Sequence, residues 1–441
     1  MSKVKYNLFT TIGMIVGIVV GSGIFFKSDN ILVATDGSIT LGVLIFCIAA
    51  ICIIFGGLSI AELASRSNNS GGIIGYIEEH SYHSIACAIG WFLSLLYYPT
   101  LLSVVSWVSV IYLCQLFNVE LPLEGQILLS IIILAIDFSI NYLSSKLGGI
   151  LQNLSTVIKL LPLFLIAILG VIYGDYSSIE LADIAHIKSY SWLTAITPVA
   201  FAFDGWIVST SISDEIENPK KNLPIALIIA PISILIIYIA YFVGISMYVG
   251  PENIMALGDA HVSYAANNLL GSFGSKIILI FVIISVLGTL NGIILGSIRM
   301  PHILGTKNMI PFSNIYSTTN EKYGLSIHST FFSFIMTIIW TFVHYISIKF
   351  DLLPNSDVSE IAVIFSYIVY IVLYIQVIKL SFKGTIKGFF KGKFNPIMAI
   401  MGSIIVLTGS LSNPIIFLYF AIFITIIIGA IAFYRCKNKN Y

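Results

Sequence analysis

Twelve times along this chain a run of apolar residues long enough to cross a bilayer recurs, and no other feature narrows the possible folds as far. A hydrocarbon layer about 30 Å thick needs about 20 residues of helix at about 1.5 Å per residue. On that measure spans are predicted near 9–34, 41–64, 84–117, 126–143, 149–173, 192–213, 223–249, 276–300, 327–348, 358–380, 395–412 and 414–434. Of the 441 residues 58% are hydrophobic and 10% charged, more apolar surface than a water-soluble domain can hide. The fold class is therefore an all-α polytopic membrane protein with 12 transmembrane helices, surrounded by membrane lipid. A net charge of +1 gives no reason to expect a nucleic acid partner. The cysteines form no close pair and the histidines no ligand spacing, so neither disulfide nor metal is expected. The N-terminal lysines precede an apolar run without a convincing cleavage region, which reads as a first span rather than a signal peptide.

Basic residues give the orientation. With an even number of spans the termini share a side, and 17 of the 22 basic residues fall on it, against Lys27, Lys188, Lys276 and Lys349 opposite and Lys159 within a span. Both termini are therefore expected to be cytoplasmic, at the cell membrane. Spans one and six are each interrupted at mid-length, by Gly21-Ser22-Gly23 and by Phe203-Asp204-Gly205. Four spans lie between them, so they run in opposite directions. That is the layout of an inverted repeat with a binding site between its broken helices. The expected divisions are 1–174 (spans one to five), 175–393 (six to ten) and 394–441 (the last two spans and a short tail).

A helix broken in lipid must place its freed amides and carbonyls in protein or a polar cavity. The N–H groups of Ser22, Gly23 and Ile24 would point at a carboxylate, and carbonyls such as that of Val19 would accept from an ammonium, so one feature offers both poles of a zwitterion. The plainer alternative is that Gly13, Gly17 and Gly21 form a small-residue stripe for close helix packing, and the two roles can coexist. Asp204, flanked by Phe203 and Gly205, is an acid at membrane depth. It could position an amine or hold the break open, or simply cap the second half-helix. Phe201 serves either as a lid or as packing.

Several motifs occur in one order. They are Val20-Gly21-Ser22-Gly23-Ile24-Phe25, Leu58-Ser59-Ile60-Ala61-Glu62-Leu63, Ser70-Gly71-Gly72, the 201–206 segment Phe-Ala-Phe-Asp-Gly-Trp, the stretch from Asp214 to Pro224, and Leu290-Asn291-Gly292 with Arg299. Together they resemble the amino acid-polyamine-organocation (APC) superfamily of permeases, particularly bacterial relatives of the L-amino-acid transporters, up to about residue 380. The resemblance implies a LeuT-type 5+5 inverted repeat with alternating access. It implies that the substrate carboxylate meets Gly21, Ser22 and Gly23, that the amine meets carbonyls of Val19 and of Phe201, Ala202 and Phe203, and that Phe201 covers the occluded site. It also implies that Lys159 stands where sodium-coupled relatives bind sodium, bridging carbonyls of spans one and eight; a fixed structural partner is the alternative. Residues 300–311 depart from the pattern, lacking the usual Ala-Arg-Glu-Gly run.

The remaining polar residues are assigned more modest roles. Asp137 is expected to bond to Ser139 or Asn141, and Glu62 to act at the membrane interface. Glu360 is expected to cap span ten or, failing that, to line the outer vestibule, and Tyr97, Tyr98 and Pro99 to pack. The function expected is a sodium-independent permease or exchanger of small, neutral L-amino acids, with a cationic amino acid or polyamine as the alternative substrate through Asp204 or Glu360. A membrane receptor for an amino acid is disfavoured by the short termini. An intramembrane enzyme lacks a nucleophile-base pair, and no cofactor or phosphate-binding loop is expected. The sequence specifies no oligomeric state.

Overall fold

A computed structural model describes residues 6–67, 71–143, 145–179, 191–320, 325–353, 356–409, 411 and 416–438. Ser70, Lys188, the turn at 412–414 and the terminal lysines 3, 5 and 439 lie outside the described residues, as do the side chains of Ser22, Lys146, Asp214 and Glu215.

Among the described residues, twelve helical segments are long and apolar enough to cross a membrane. Span one is Leu8–Val19 followed, after a break, by Ser22–Phe26 and then Ser28–Ala34. Span two is Ile39–Arg66, span three His83–Phe117, span four Leu123–Leu143 and span five Ser145–Tyr173. Span six is Ile196–Ala202, a turn at 203–205, and the 3-10 segment Trp206–Glu215. Spans seven to twelve are Pro219–Val249, His261–Thr306, Ile327–Lys349, Val358–Phe382, Asn395–Gly409 and Ile416–Asn438. Among the described residues the one β contact is an isolated bridge between Tyr6 and Ile216. This fits the LeuT-type architecture that the resemblance implied. Span eight starts earlier than hydropathy indicated, because the polar stretch from His261 is helical up to a kink at Gly271, whose φ is +69°.

Local chemistry sets the ends. The Asn7 side chain accepts from the Thr10 amide at 2.8 Å, and Ser38 from the Leu41 amide at 3.3 Å, each taking one of the four amides a helix start leaves free. Span ten is capped by Asp357, which accepts from the Ser359 and Glu360 amides at 2.8 and 3.3 Å. The expected cap at Glu360 is therefore corrected: the shorter acid just before the helix has the reach, while Glu360, inside the first turn, turns away.

Packing separates the elements into groups. Span seven lies along spans two, five and one, and span eight along spans three, five and nine, so span five touches both. The outward faces of spans four and nine expose Leu128, Ile136, Phe331 and Phe342, as lipid contact requires. Both breaks sit in the buried centre, where Ile24, Phe25, Ala200 and Ala202 are fully enclosed.

Candidate substrate site

The breaks of spans one and six press against each other and against span eight. A Cβ built on Gly23 would stand 2.6 Å from Cα of Ala202, and one on Gly21 would stand 1.9 Å from Oγ1 of Thr289. Neither distance is tolerable: Gly23 is required by a close crossing of backbones, and Gly21 by the Thr289 side chain packed over it. Gly13, by contrast, has open space around it, so no continuous packing stripe runs along span one. Gly205 has φ +94°, which only glycine adopts cheaply, and its added Cβ would meet Ile18 Cγ2 at 2.8 Å.

A helix that ends inside the membrane leaves its last carbonyls without amide partners. Here side chains from other spans supply donors. The Lys159 ammonium, fully buried in span five, donates to the Gly17 carbonyl and lies 3.4 Å from Thr289 Oγ1 in span eight. Thr289 Oγ1 is itself 3.4 Å from the Val20 carbonyl. Lys159 thus touches both spans that the sequence associated with it, reaching a carbonyl in span one but a hydroxyl in span eight.

Tyr238, in span seven, was not singled out in the sequence. Its hydroxyl lies 3.0 Å from the Val19 carbonyl and 2.7 Å from the Ala202 carbonyl, where the two first half-helices end. One hydroxyl carries one proton, so it serves these carbonyls one at a time and leaves the other able to accept from a second donor. Nothing in the local sequence marks it, since a tyrosine in an apolar span is unremarkable.

The Asp204 carboxylate accepts at 2.6 Å from the hydroxyl of Tyr97. Tyr97 closes a π-helical turn, Leu93–Tyr97, whose extra residue resets the face presented by the rest of span three. The expectation that Tyr97 only packs is thereby corrected; Tyr98 is buried beside it, with ring centroids 5.2 Å apart. Asp137 behaves as expected. Asn141 Nδ2 lies 3.4 Å from Asp137 Oδ1, donates to the Asp137 backbone carbonyl at 2.9 Å and reaches onward to Asn291 Oδ1 in span eight at 2.8 Å, whereas Ser139 turns to Ala135. Glu62 pairs with Arg66 at 2.5 Å and Lys391 at 3.5 Å near the end of span two.

Between the breaks lies a cavity of about 20 Å³, walled by Gly23, Phe201, Asp204, Gly205 and Thr289 and by the aliphatic side chains of Leu101 and Val105. That volume is on the scale of a single water. With the two breaks packed together, the cavity has no room for anything larger. Two roomier crevices, of about 260 and 490 Å³, lie against spans eight and nine and among spans four, five and eight, away from both breaks.

On one side of this cavity is a buried ion cluster. Lys27 Nζ lies 2.9 Å from Asp357 Oδ2 and 2.5 Å from Glu360 Oε1, and 5.3 Å from the centroid of the Phe201 ring. Counted in the sequence as a loop cation, Lys27 is 1% exposed. Only a pairing across 330 residues explains it, and the sequence carries no signal of that pairing.

Facing broken helices around a small cavity, in a shell of apolar spans, define a membrane transporter for a small solute. The chain belongs to the amino acid permease family, whose model matches residues 6–434. It is 28% identical to the serine/threonine exchanger SteT of Bacillus subtilis (strain 168), over 93% of this chain and 91% of that one. It is 26% identical to the human large neutral amino acids transporter small subunit 2, over 76% of this chain and 64% of that one. To the human cystine/glutamate transporter it is 27% identical, over 70% of this chain and 62% of that one. The chain thus spans nearly all of the bacterial relative and under two thirds of the human ones. It is an amino acid permease of the membrane, and the relatives named above are transporters.

Proposed function

We propose that the chain is a sodium-independent exchanger of small neutral L-amino acids working by alternating access. The position of Lys159 supports this reading: a fixed ammonium ties span one to span eight beside the cavity, and in this reading it does the work of a mobile cation. The substrate carboxylate meets the amides of Ser22, Gly23 and Ile24 at the start of the second half of span one. Its ammonium meets the carbonyls of Val19 and of residues 201–203, one of which Tyr238 leaves free, and Phe201 covers it. Aliphatic walls at Leu101 and Val105 favour a short side chain without charge. The names of the Bacillus exchanger and of the human neutral transporter support that substrate class. A cationic substrate would need an acid to spare, and Asp204 is bonded to Tyr97 while Glu360 is paired with Lys27.

In this reading residues 1–174 and 175–393 are the inverted halves, with 394–441 appended. Spans one, two, six and seven rock against the others, and both termini are cytoplasmic by the distribution of lysine and arginine. The test is uptake of radiolabelled L-serine into proteoliposomes, with and without internal serine, in sodium and in choline buffers. Uptake that requires internal amino acid and is indifferent to sodium is expected. Sodium-dependent uptake would refute the role of Lys159, and specific binding without flux would favour a receptor.

A further inference from the structure

Among the described residues, Lys27 is the one fully buried cation that transport by the Lys159 site leaves without a task. It lies four residues past Gly23, about 6 Å along the helix axis, in the half of span one that follows the break. A cation at that depth is costly unless paired. Two carboxylates meet it, Asp357 at 2.9 Å and Glu360 at 2.5 Å, 5% and 3% exposed. Each is also held in place by donors. Asp357 Oδ1 accepts from the Ser359 amide and hydroxyl at 2.8 and 2.5 Å, and Glu360 Oε2 accepts from the Ser356 hydroxyl at 2.5 Å.

Two positioned acids facing one ammonium make a cation site whose occupant is the protein's own lysine. The site lies where span ten begins, so it stands between that face of the membrane and the cavity at the breaks. The ammonium also lies against the ring of Phe201, a wall of that cavity, at a cation–π distance of 5.3 Å. A solute approaching from this face meets a cation position already filled and a ring held in place by it.

We propose that Lys27 is a specificity-determining residue: its tethered ammonium fills the cation position between Asp357 and Glu360, excludes solutes bearing an extra positive charge, and steadies Phe201 over the substrate site. The route this guards is that of the proposed exchanger, but the cation position itself can be tested without transport. Shortening the side chain should leave two carboxylates facing a space that fits an alkylammonium. The probes are n-butylamine and putrescine, added to the purified full-length protein in detergent while thermal unfolding is followed.

The wild type should not respond, because its site is filled. Lys27→Ala should be stabilised by either amine, at concentrations about tenfold or more below those giving any response in the wild type. That gain should vanish when Asp357→Asn and Glu360→Gln are added. In liposomes L-lysine should then inhibit L-serine uptake by Lys27→Ala and not by the wild type. A folded Lys27→Ala protein indifferent to amines would overturn the inference, as would an equal response in the triple variant. If Lys27→Ala is recovered only when purified with n-butylamine, that dependence supports it. If it is not recovered at all, Lys27→Gln, which keeps a donor but no charge, takes its place, and unchanged exclusion of L-lysine by that variant overturns the proposal. Absence of serine uptake by the wild type would refute the proposed substrate and leave the amine response standing.

Discussion

Replacing Lys159 by methionine keeps most of the volume of the side chain and removes only the ammonium, which makes it the sharpest probe of the proposed coupling. The group lost is a charged donor to the Gly17 carbonyl, worth about 1.5–3 kcal/mol, with a 3.4 Å approach to Thr289 that adds little. Against this stands the cost of burying an ammonium to which no described carboxylate is paired, several kcal/mol in itself. The two effects nearly cancel in the folded state. Thermal stability should therefore be unchanged or rise modestly. Transport should respond differently. If that donor links span one to span eight, its loss uncouples them by roughly 1.5–3 kcal/mol, or about 10- to 150-fold in exchange rate. The assay is serine exchange in proteoliposomes, run beside thermal unfolding of the same preparation. Falling exchange with intact stability supports coupling. Exchange within about twofold of the wild type would refute it, and a collapse of stability would make Lys159 a scaffold group.

Further outcomes follow from the same geometry. Gly23→Ala should abolish substrate binding and lower stability by about 1–3 kcal/mol, because its Cβ meets the backbone of Ala202 at 2.6 Å; retained affinity in a binding assay would mean the site is misplaced. Tyr97→Phe strips the 2.6 Å bond from Asp204 and should slow exchange, and in a double-mutant cycle with Asp204→Asn the two should couple by about 0.5–3 kcal/mol; additive losses would separate them. Tyr238→Phe leaves both the Val19 and Ala202 carbonyls without their hydroxyl, at a cost of about 1–3 kcal/mol of stability, read as a lower unfolding temperature; an unchanged temperature would show that another donor replaces it.

The breaks at residues 21–23 and 203–205 were legible because glycine clusters and an acid cannot persist in a lipid-exposed helix, and that constraint is local. The reason for each glycine was not legible. Gly21 and Gly23 were expected to admit a substrate, and the structure adds that Thr289 and Ala202 already crowd them. Asp357 and Glu360, three residues apart, could not be assigned from sequence as cap and ion-pair partner, since the choice depends on where Lys27 arrives.

Run length and composition alone determined the twelve spans and the fold class, because the bilayer imposes its thickness on every segment separately, and the residues at 21–23 and 203–205 marked the two interruptions. Tertiary structure alone decided which polar groups meet: Lys159 with Gly17, Tyr238 with Val19 and Ala202, Tyr97 with Asp204, and Lys27 with Asp357 and Glu360. A buried donor or charge demands a partner but does not specify one. The partner is whatever the crossing of distant spans brings within about 3 Å, and that geometry is written in no single stretch of the chain.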